Sequence, residues 1–291
     1  MEYLITTDNT ADLPEEYYVE HGLMKMCLPY ILDGETYHDG HEMSVAAFYQ
    51  SMRDGKLPTT SQVNPELARD YLKQYIQINK NIIHIAFSGG LSGTYNSVRL
   101  AAQELMEENP DCRITVIDSL CASMGEGLLV HKALMLQKQG MSYDELVTWL
   151  EENKEHVCHS FTVDDLFHLY RGGRLSKTAA VLGTMISLKP VMHVDDEGHL
   201  KPHAKVRGRK KSLTALVDNM EKQMGSWRSK NDIVFISHGD CYDDALYVKQ
   251  LVQQRFGIEK FLIYTIGPTI GAHSGPGTVA LFYMGDHRKP E

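Results

Sequence analysis

Short β-branched runs, each followed by a polar loop and then by apolar residues at helical spacing, constrain this chain more than any other feature. They stand at residues 3–6, 82–87 and 114–117, and after the second of them Val98, Ala101, Ala102 and Leu105 recur with a helix's period. Strand, loop and helix in that order predict a parallel sheet with helices on both faces, because parallel strands need a crossover long enough to hold a helix. Ligands of such sheets collect at the carboxyl ends of the strands, where the loops gather.

The rhythm changes after about Cys158. Residues 161–163 read as a strand, 189–194 and 200–206 as a hairpin around 195–198, and a helix starts at Ser212. Strands at 233–237 and 260–266 flank a helix with Ala245, Val248, Leu251 and Val252 on its apolar side, and a strand at 278–283 follows a Gly/Pro-rich loop. A chain of 291 residues is long for one core, so two α/β domains are expected, 1–158 and 159–291.

Composition narrows the function classes. Hydrophobic residues at 43% and charged residues at 23% are those of a folded globular chain, not of a disordered one. A net charge of −9 argues against nucleic acid as a partner. No apolar run approaches the roughly 20 residues of a membrane span. The opening MEYLITTDNT lacks the basic-then-apolar pattern of a leader, so a cytoplasmic location is expected, with membrane contact transient at most. Five scattered cysteines without a C-x-x-C pair read as reduced thiols.

Three segments carry possible chemistry. In SGGLSGTY at 88–95, backbone N–H groups, a helix N-terminus and the hydroxyls of Ser92 and Thr94 around Gly93 suit an anion, though the same residues also make an ordinary turn and cap. The spelling is neither a Walker A loop nor a dinucleotide loop, and Thr94 stands where a nucleophile elbow needs glycine, so Ser92 reads as a hydrogen-bond donor. Thr59, Thr60, Ser61 and Gln62 read as the cap of an amphipathic helix carrying Leu67, Leu72 and Tyr75, or as ligand contacts. The glycines and prolines of GPTIGAHSGPG at 267–277 predict a loop of fixed path, with His273 its sole titratable group and Gly271 and Gly275 on either side.

Two charged clusters complete the reading. His38, His41 and Glu42 are metal-like donors without helical H-x-x-x-H spacing, and Asp33-Gly34 before them signals a hairpin, so a solvated loop is preferred to a metal site. No metal or other cofactor is expected. Lys201, His203, Lys205, Arg207, Arg209, Lys210 and Lys211 form a basic patch, with Lys201, His203 and Lys205 expected on one strand face. An anionic ligand, an acidic partner, nucleic acid and a charge-protected sheet edge are all open to it.

Taken in order, DNTADLP at 8–14, TTSQ at 59–62, LSGTY at 91–95, RGGR at 171–174, KVRGRKK at 205–211 and the glycine-rich 267–277 resemble the DegV family. These are bacterial fatty-acid-binding proteins, among them the binding subunit of fatty acid kinase. The resemblance runs along nearly the whole chain, with departures at Asn9, Gly89 and Val63. It implies a parallel-sheet N-terminal domain and a mixed-sheet C-terminal domain that closes over a long-chain fatty acid in an apolar tunnel. It places Thr60, Ser92, Gly93, Thr94 and His273 around the carboxyl group, and Thr59, Ser61, Gly271 and Gly275 in the adjoining loops. It turns Arg171, Arg174, Arg207 and Lys210 toward a separate ATP-dependent kinase that makes the acyl phosphate, and it implies a carrier without catalysis of its own. The alternatives are a hydrolase or transferase using Ser92 with His273, an enzyme using a metal on His38, His41 and Glu42, and a lipid-responsive regulator. Burying about 14 methylenes at ~0.8 kcal/mol each supplies on the order of 11 kcal/mol before ordering costs, so the tail can dominate affinity.

Overall fold

The computed structural model describes residues 2–176 and 188–290. Strands β1 (Leu4–Asp8), β2 (Met24–Met26), β6 (Asn81–Ala86) and β7 (Arg113–Asp118) form an all-parallel sheet in the order β2-β1-β6-β7. Every residue of β1 and all but the first of β6 are buried, as parallel strands covered on both faces require, which is why their sequences are apolar or β-branched almost throughout. Helix α1 (Glu15–His21) connects β1 to β2, and α4 (Thr94–Glu108) connects β6 to β7.

Helix α3 (Pro65–Ile78) starts later than the sequence reading places it. Its cap is Asn64, whose side chain accepts from the Leu67 N–H at 2.8 Å, with Pro65 opening the first turn. Asn followed by Pro supplies both the acceptor and the fixed φ that a helix start needs, so residues 59–62 are not the cap. Thr59–Thr60 instead form β5, which pairs with β3 (Tyr30–Leu32) in a small antiparallel sheet that the sequence pattern does not predict. Its third strand, β4 (Glu35–Tyr37), follows the expected turn, where Asp33 and Gly34 both have positive φ.

The second sheet is mixed, in the order β10-β9-β8-β13-β11-β12. Its strands are β8 (Val157–Thr162), β9 (Leu188–Val194), β10 (Leu200–Arg207), β11 (Val234–His238), β12 (Phe261–Thr265) and β13 (Val279–Met284). Only β11 and β12 run parallel. Helices α8 (Arg209–Gln223) and α9 (Tyr242–Phe256) cover one face, packing with Val191, Val234 and Leu281.

Helix α5 (Met124–Lys138) lies between the two sheets, in contact with β1 and β6 on one side and with β8, β11 and β13 on the other. Buried residues surround its first turns, as expected of a helix covered on all sides. One apolar cluster accordingly runs from Ile5, Ile83 and Ile117 through Leu128 to Phe161, Phe235 and Phe282. The domains thus share a core at their junction.

Two local expectations are corrected. Residues 268–274 are not loop but a two-turn helix, α10 (Pro268–Ser274), with Pro268 in its first turn and Gly275 at φ +79 just beyond its end. Gly271 inside it lets the backbone approach Tyr49, whose hydroxyl would lie 2.7 Å from an added Cβ. On β10 the register against β9 shifts between Pro202 and Ala204, which inserts His203 as a bulge and reverses the alternation. Lys205 and Arg207 therefore share a face with Leu200 and Pro202, opposite to Lys201, and the expected row of Lys201, His203 and Lys205 does not form.

Candidate ligand-binding site

The loop between β6 and α4 is drawn tight by its own backbone, Ser92 N–H donating to Ser88 O at 3.1 Å. Ser92 Oγ lies 2.9 Å from Thr94 Oγ1 and accepts from Thr94 N–H at 3.2 Å, while Thr94 Oγ1 accepts from Val63 N–H at 3.2 Å. Thr94 is fully buried and braces the two segments against each other. Gly93 is required by proximity, since a Cβ there would sit 2.2 Å from Gln62 Oε1. The segments at 59–62 and 88–95 thus form one unit.

The second domain completes it. His273, near the end of α10, brings Nε2 to 2.7 Å from Thr60 Oγ1, and its Nδ1 is buried without a hydrogen-bond partner among the described residues. Its ring lies over Gly172, where a Cβ would stand 2.0 Å from Nδ1. Burial, aided by the positive charges of Arg174 and Arg171, pushes the imidazole pKa down to about 3, so His273 is neutral at physiological pH. Short helix α7 (Phe167–Arg171) and the turn after it supply those arginines. Arg171 donates to the carbonyls of Pro58 and Ala272, at 2.7 and 3.1 Å, and Arg174 to the carbonyl of Leu91 at 3.1 Å. Both therefore fasten the second domain to the loops of the first.

Thr60, Ser61, Ser92, Arg174 and His273 line one end of a cavity whose empty space, counted out into the open solvent at its mouth, is about 770 Å³. Leu28, Phe87 and Leu91 from the first domain and Phe161, Ala280 and Phe282 from the second supply apolar wall. Ser123 and His159 also line it, but their polar atoms are engaged elsewhere. Ser123 Oγ donates to Asp12 Oδ2 at 2.6 Å, and His159 Nε2 accepts from Ala122 N–H at 3.1 Å. Ser274 Oγ is different, a buried hydroxyl in the lining without a partner among the described residues.

Among the residues singled out in the sequence, Thr60, Ser61, Ser92 and His273 meet at the cavity's polar end, with Gly93 and Thr94 supporting from behind. Thr59 is exposed, and Gly271 and Gly275 shape α10 without lining the cavity; a Cβ on Gly275 would stand 2.5 Å from His168 Cδ2. Arg207 and Lys210 are exposed at the end of β10 and the start of α8, apart from Arg171 and Arg174 at the domain seam. His41 pairs with Glu35 at 2.9 Å, and Glu42 groups with Asp39 and Cys27 and not with the two histidines. Sequence reasoning missed Ser274, His159 and Arg174 as lining groups. The RGGR spelling marked Arg174 but not its direction.

Fold and site together define a two-domain α/β protein whose junction encloses an apolar cavity with one polar end. The chain belongs to the DegV family: the family model, described as an uncharacterised protein of that family, matches residues 2–286. A DegV domain-containing protein of Clostridium perfringens is 41% identical over 290 residues, covering 99% of each chain. Among solved structures, a fatty-acid-binding DegV family protein from Thermus thermophilus superposes with a TM-score of 0.86 at 29% identity, over 98% of this chain and 100% of that one. A stearic acid-binding protein from Eubacterium ventriosum gives 0.89 at 26% identity, over 97% and 98%.

Proposed function

We propose that the chain binds a long-chain fatty acid, with its carboxyl group at Thr60, Ser92 and His273 and its tail along Leu28, Phe161 and Phe282. The observation that carries this reading is the asymmetry of the cavity: hydroxyls, an imidazole and a guanidinium gather at one end, the unpartnered Ser274 Oγ among them, while the rest of the wall named above is apolar apart from Ser123 and His159. Hydroxyls and a neutral imidazole satisfy a carboxyl group without burying a fixed charge, and the nearby Arg174 guanidinium favours its ionised form. The fatty acids named for the relatives from Thermus thermophilus and Eubacterium ventriosum support the same assignment.

The chain acts in this reading as a carrier that presents the carboxyl group to a separate ATP-dependent fatty acid kinase. Ser92 Oγ pairs with Thr94, and His273 Nε2 with Thr60; neither pairing is that of a nucleophile with its base, which supports a carrier over a hydrolase. Five free cysteines, four of them buried, suit a reducing compartment, and we place the protein in the cytoplasm. Among the described residues no helix is long and apolar enough to cross a membrane.

Mass spectrometry of solvent extracts from the purified protein tests the reading. A long-chain fatty acid in near-stoichiometric amount is expected. No lipid, together with no binding after delipidation, would overturn it, as would hydrolytic turnover abolished by Ser92→Ala.

A further inference from the structure

We infer that Arg288 is a positioning residue for the acyl tail: from outside the cavity it holds the wall at the deep end, and so limits the chain length that fits. This rests on the fatty-acid reading above. Arg288 lies in the segment after β13 and is 1% exposed. All five of its N–H groups are used. Nε donates to Glu155 O at 3.0 Å, Nη1 to Leu120 O at 2.6 Å and Asp195 O at 3.2 Å, and Nη2 to Lys154 O at 2.6 Å and Cys121 Sγ at 3.4 Å.

These acceptors belong to three segments, and each runs on into the cavity wall. Leu120 and Cys121 precede the lining residues Ala122 and Ser123; Asp195 follows the lining residue Val194; Lys154 and Glu155 lead into β8, which carries His159. This is the end remote from the polar groups. Thr278 hydrogen-bonds Ser274 O, beside His273, and Phe282 stands opposite His159 in β13, which begins at the next residue, four positions further along the chain. At about 3.3 Å per residue that is ~13 Å deeper.

The wall needs holding because two of its residues are in conformations that side chains disfavour. Leu120 has φ +54 and Ser123 φ +53. Such conformations persist only where the surroundings over-determine them. Leu120 is fixed on both sides, its N–H donating to Asp118 Oδ1 at 3.0 Å and its carbonyl accepting from Arg288. A buried guanidinium among four carbonyls and a thiol depends on those dipoles. The cation and the wall therefore depend on each other. Without the full fork the Leu120–Ser123 wall relaxes outward and the tunnel lengthens.

The test uses the full chain, delipidated and offered an equimolar mixture of saturated and monounsaturated acids of 12 to 20 carbons, with retained acids quantified by mass spectrometry. Wild type, Arg288→Ala and the milder Arg288→Lys are compared, each with and without Leu120→Gly, which makes the positive φ unstrained. The expected result is a shift toward longer acids in both Arg288 variants. Two further methylenes correspond to about fifteenfold in relative retention, and Leu120→Gly is expected to reverse the shift. Equal loss at all lengths, an unchanged profile in both variants, or a shift that Leu120→Gly leaves in place would overturn the inference. A wild-type protein that retains no acid would instead remove the fatty-acid reading, and the inference with it.

Discussion

Thr60 Oγ1 and His273 Nε2 meet at 2.7 Å although 213 residues separate them. One side chain stands on β5 in the first domain and the other on α10 in the second, so the polar end of the cavity exists only while the domains are closed. The seam is held there by Arg171 on Pro58 and Ala272, and by the Tyr49 hydroxyl donating to Ile266 O at 3.0 Å. In the reading proposed above, a carboxyl group held by both residues therefore requires the two domains together.

Thr60→Val and His273→Ala are each expected to weaken fatty-acid binding by about 0.5–1.5 kcal/mol, the worth of one hydrogen bond, and by more where the carboxyl group is ionised. Because the two residues share a hydrogen bond, the double variant should lose less than the sum of the singles. Displacement of a fluorescent fatty acid measures all four proteins. Wild-type affinity in both singles would move the carboxyl site elsewhere.

Gly172 gives an independent handle on the same end. Its φ of −74 accepts alanine, but the new Cβ would lie 2.0 Å from His273 Nδ1, so the imidazole has to shift, and a shift disturbs its 2.7 Å contact with Thr60. Gly172→Ala should therefore weaken binding at least as much as His273→Ala. Combined with His273→Ala it should cost little further, since the group it displaces is gone. Full additivity in that cycle would show that Gly172 acts through something other than the imidazole.

Asp12 makes stability depend on pH. Burial pushes its carboxyl up to about 7, against the hydrogen bonds donated by Ser123 and by Gly267 N–H. Below pH 4 the group is protonated folded and unfolded, and it adds no pH dependence. As pH rises from about 4 to 7 the unfolded state ionises first, so the unfolded chain gains stability and the fold loses it. Asp12→Asn removes that titration. The difference in Tm, Asn variant minus wild type, should grow through this interval and level off above it. His273, held down to about 3 mainly by burial, has the opposite sign, its contribution being lost as pH falls below about 6.5, but it is common to both proteins and cancels. A flat difference would mean that Asp12 is ionised throughout.

What could be read in the sequence divides along physical lines. The buried parallel strands announce themselves because both faces must be apolar, and α3, α4 and α9 because one face must be. Of the β3-β4-β5 sheet only the turn at Asp33-Gly34 is legible, because its strands have only two or three residues, too few to show alternation. Helix α10 hides behind glycines and prolines that normally break helices; Pro268 is harmless in a first turn, and Gly271 answers to Tyr49 from another domain. In the site, hydroxyls and glycines mark Ser92 and the loop of His273, whereas spacing makes Thr60 part of a helix cap and only the family resemblance puts it at the site. His159, Phe161 and Phe282 cannot be told from core residues by spacing, because the apolar part of the cavity is a gap in that core. Charge marked Arg174 without showing that it faces inward, and a one-residue bulge was enough to turn Lys201 away from Lys205.

Arg207 separates a docking role from a structural one. It is exposed at the end of β10, which is the edge strand of the six-stranded sheet, with Lys210 exposed just beyond it in α8. Edge strands are commonly guarded by charge against pairing with other chains, and if that is its whole role, Arg207→Ala alters solubility and nothing else. If Arg207 meets a fatty acid kinase, its planar fork suits a phosphorylated product, since it can take two phosphate oxygens at once. Arg207→Ala should then keep full fatty-acid affinity yet slow kinase-dependent phosphorylation of the bound acid, and Arg207→Lys should restore only part of the rate. The wild-type rate should also fall with added salt, as exposed charges are screened over about 10 Å at 0.1 M, and fall more steeply than that of the alanine variant. Equal rates for wild type and variant across the salt series would leave Arg207 with the protection of the sheet edge alone.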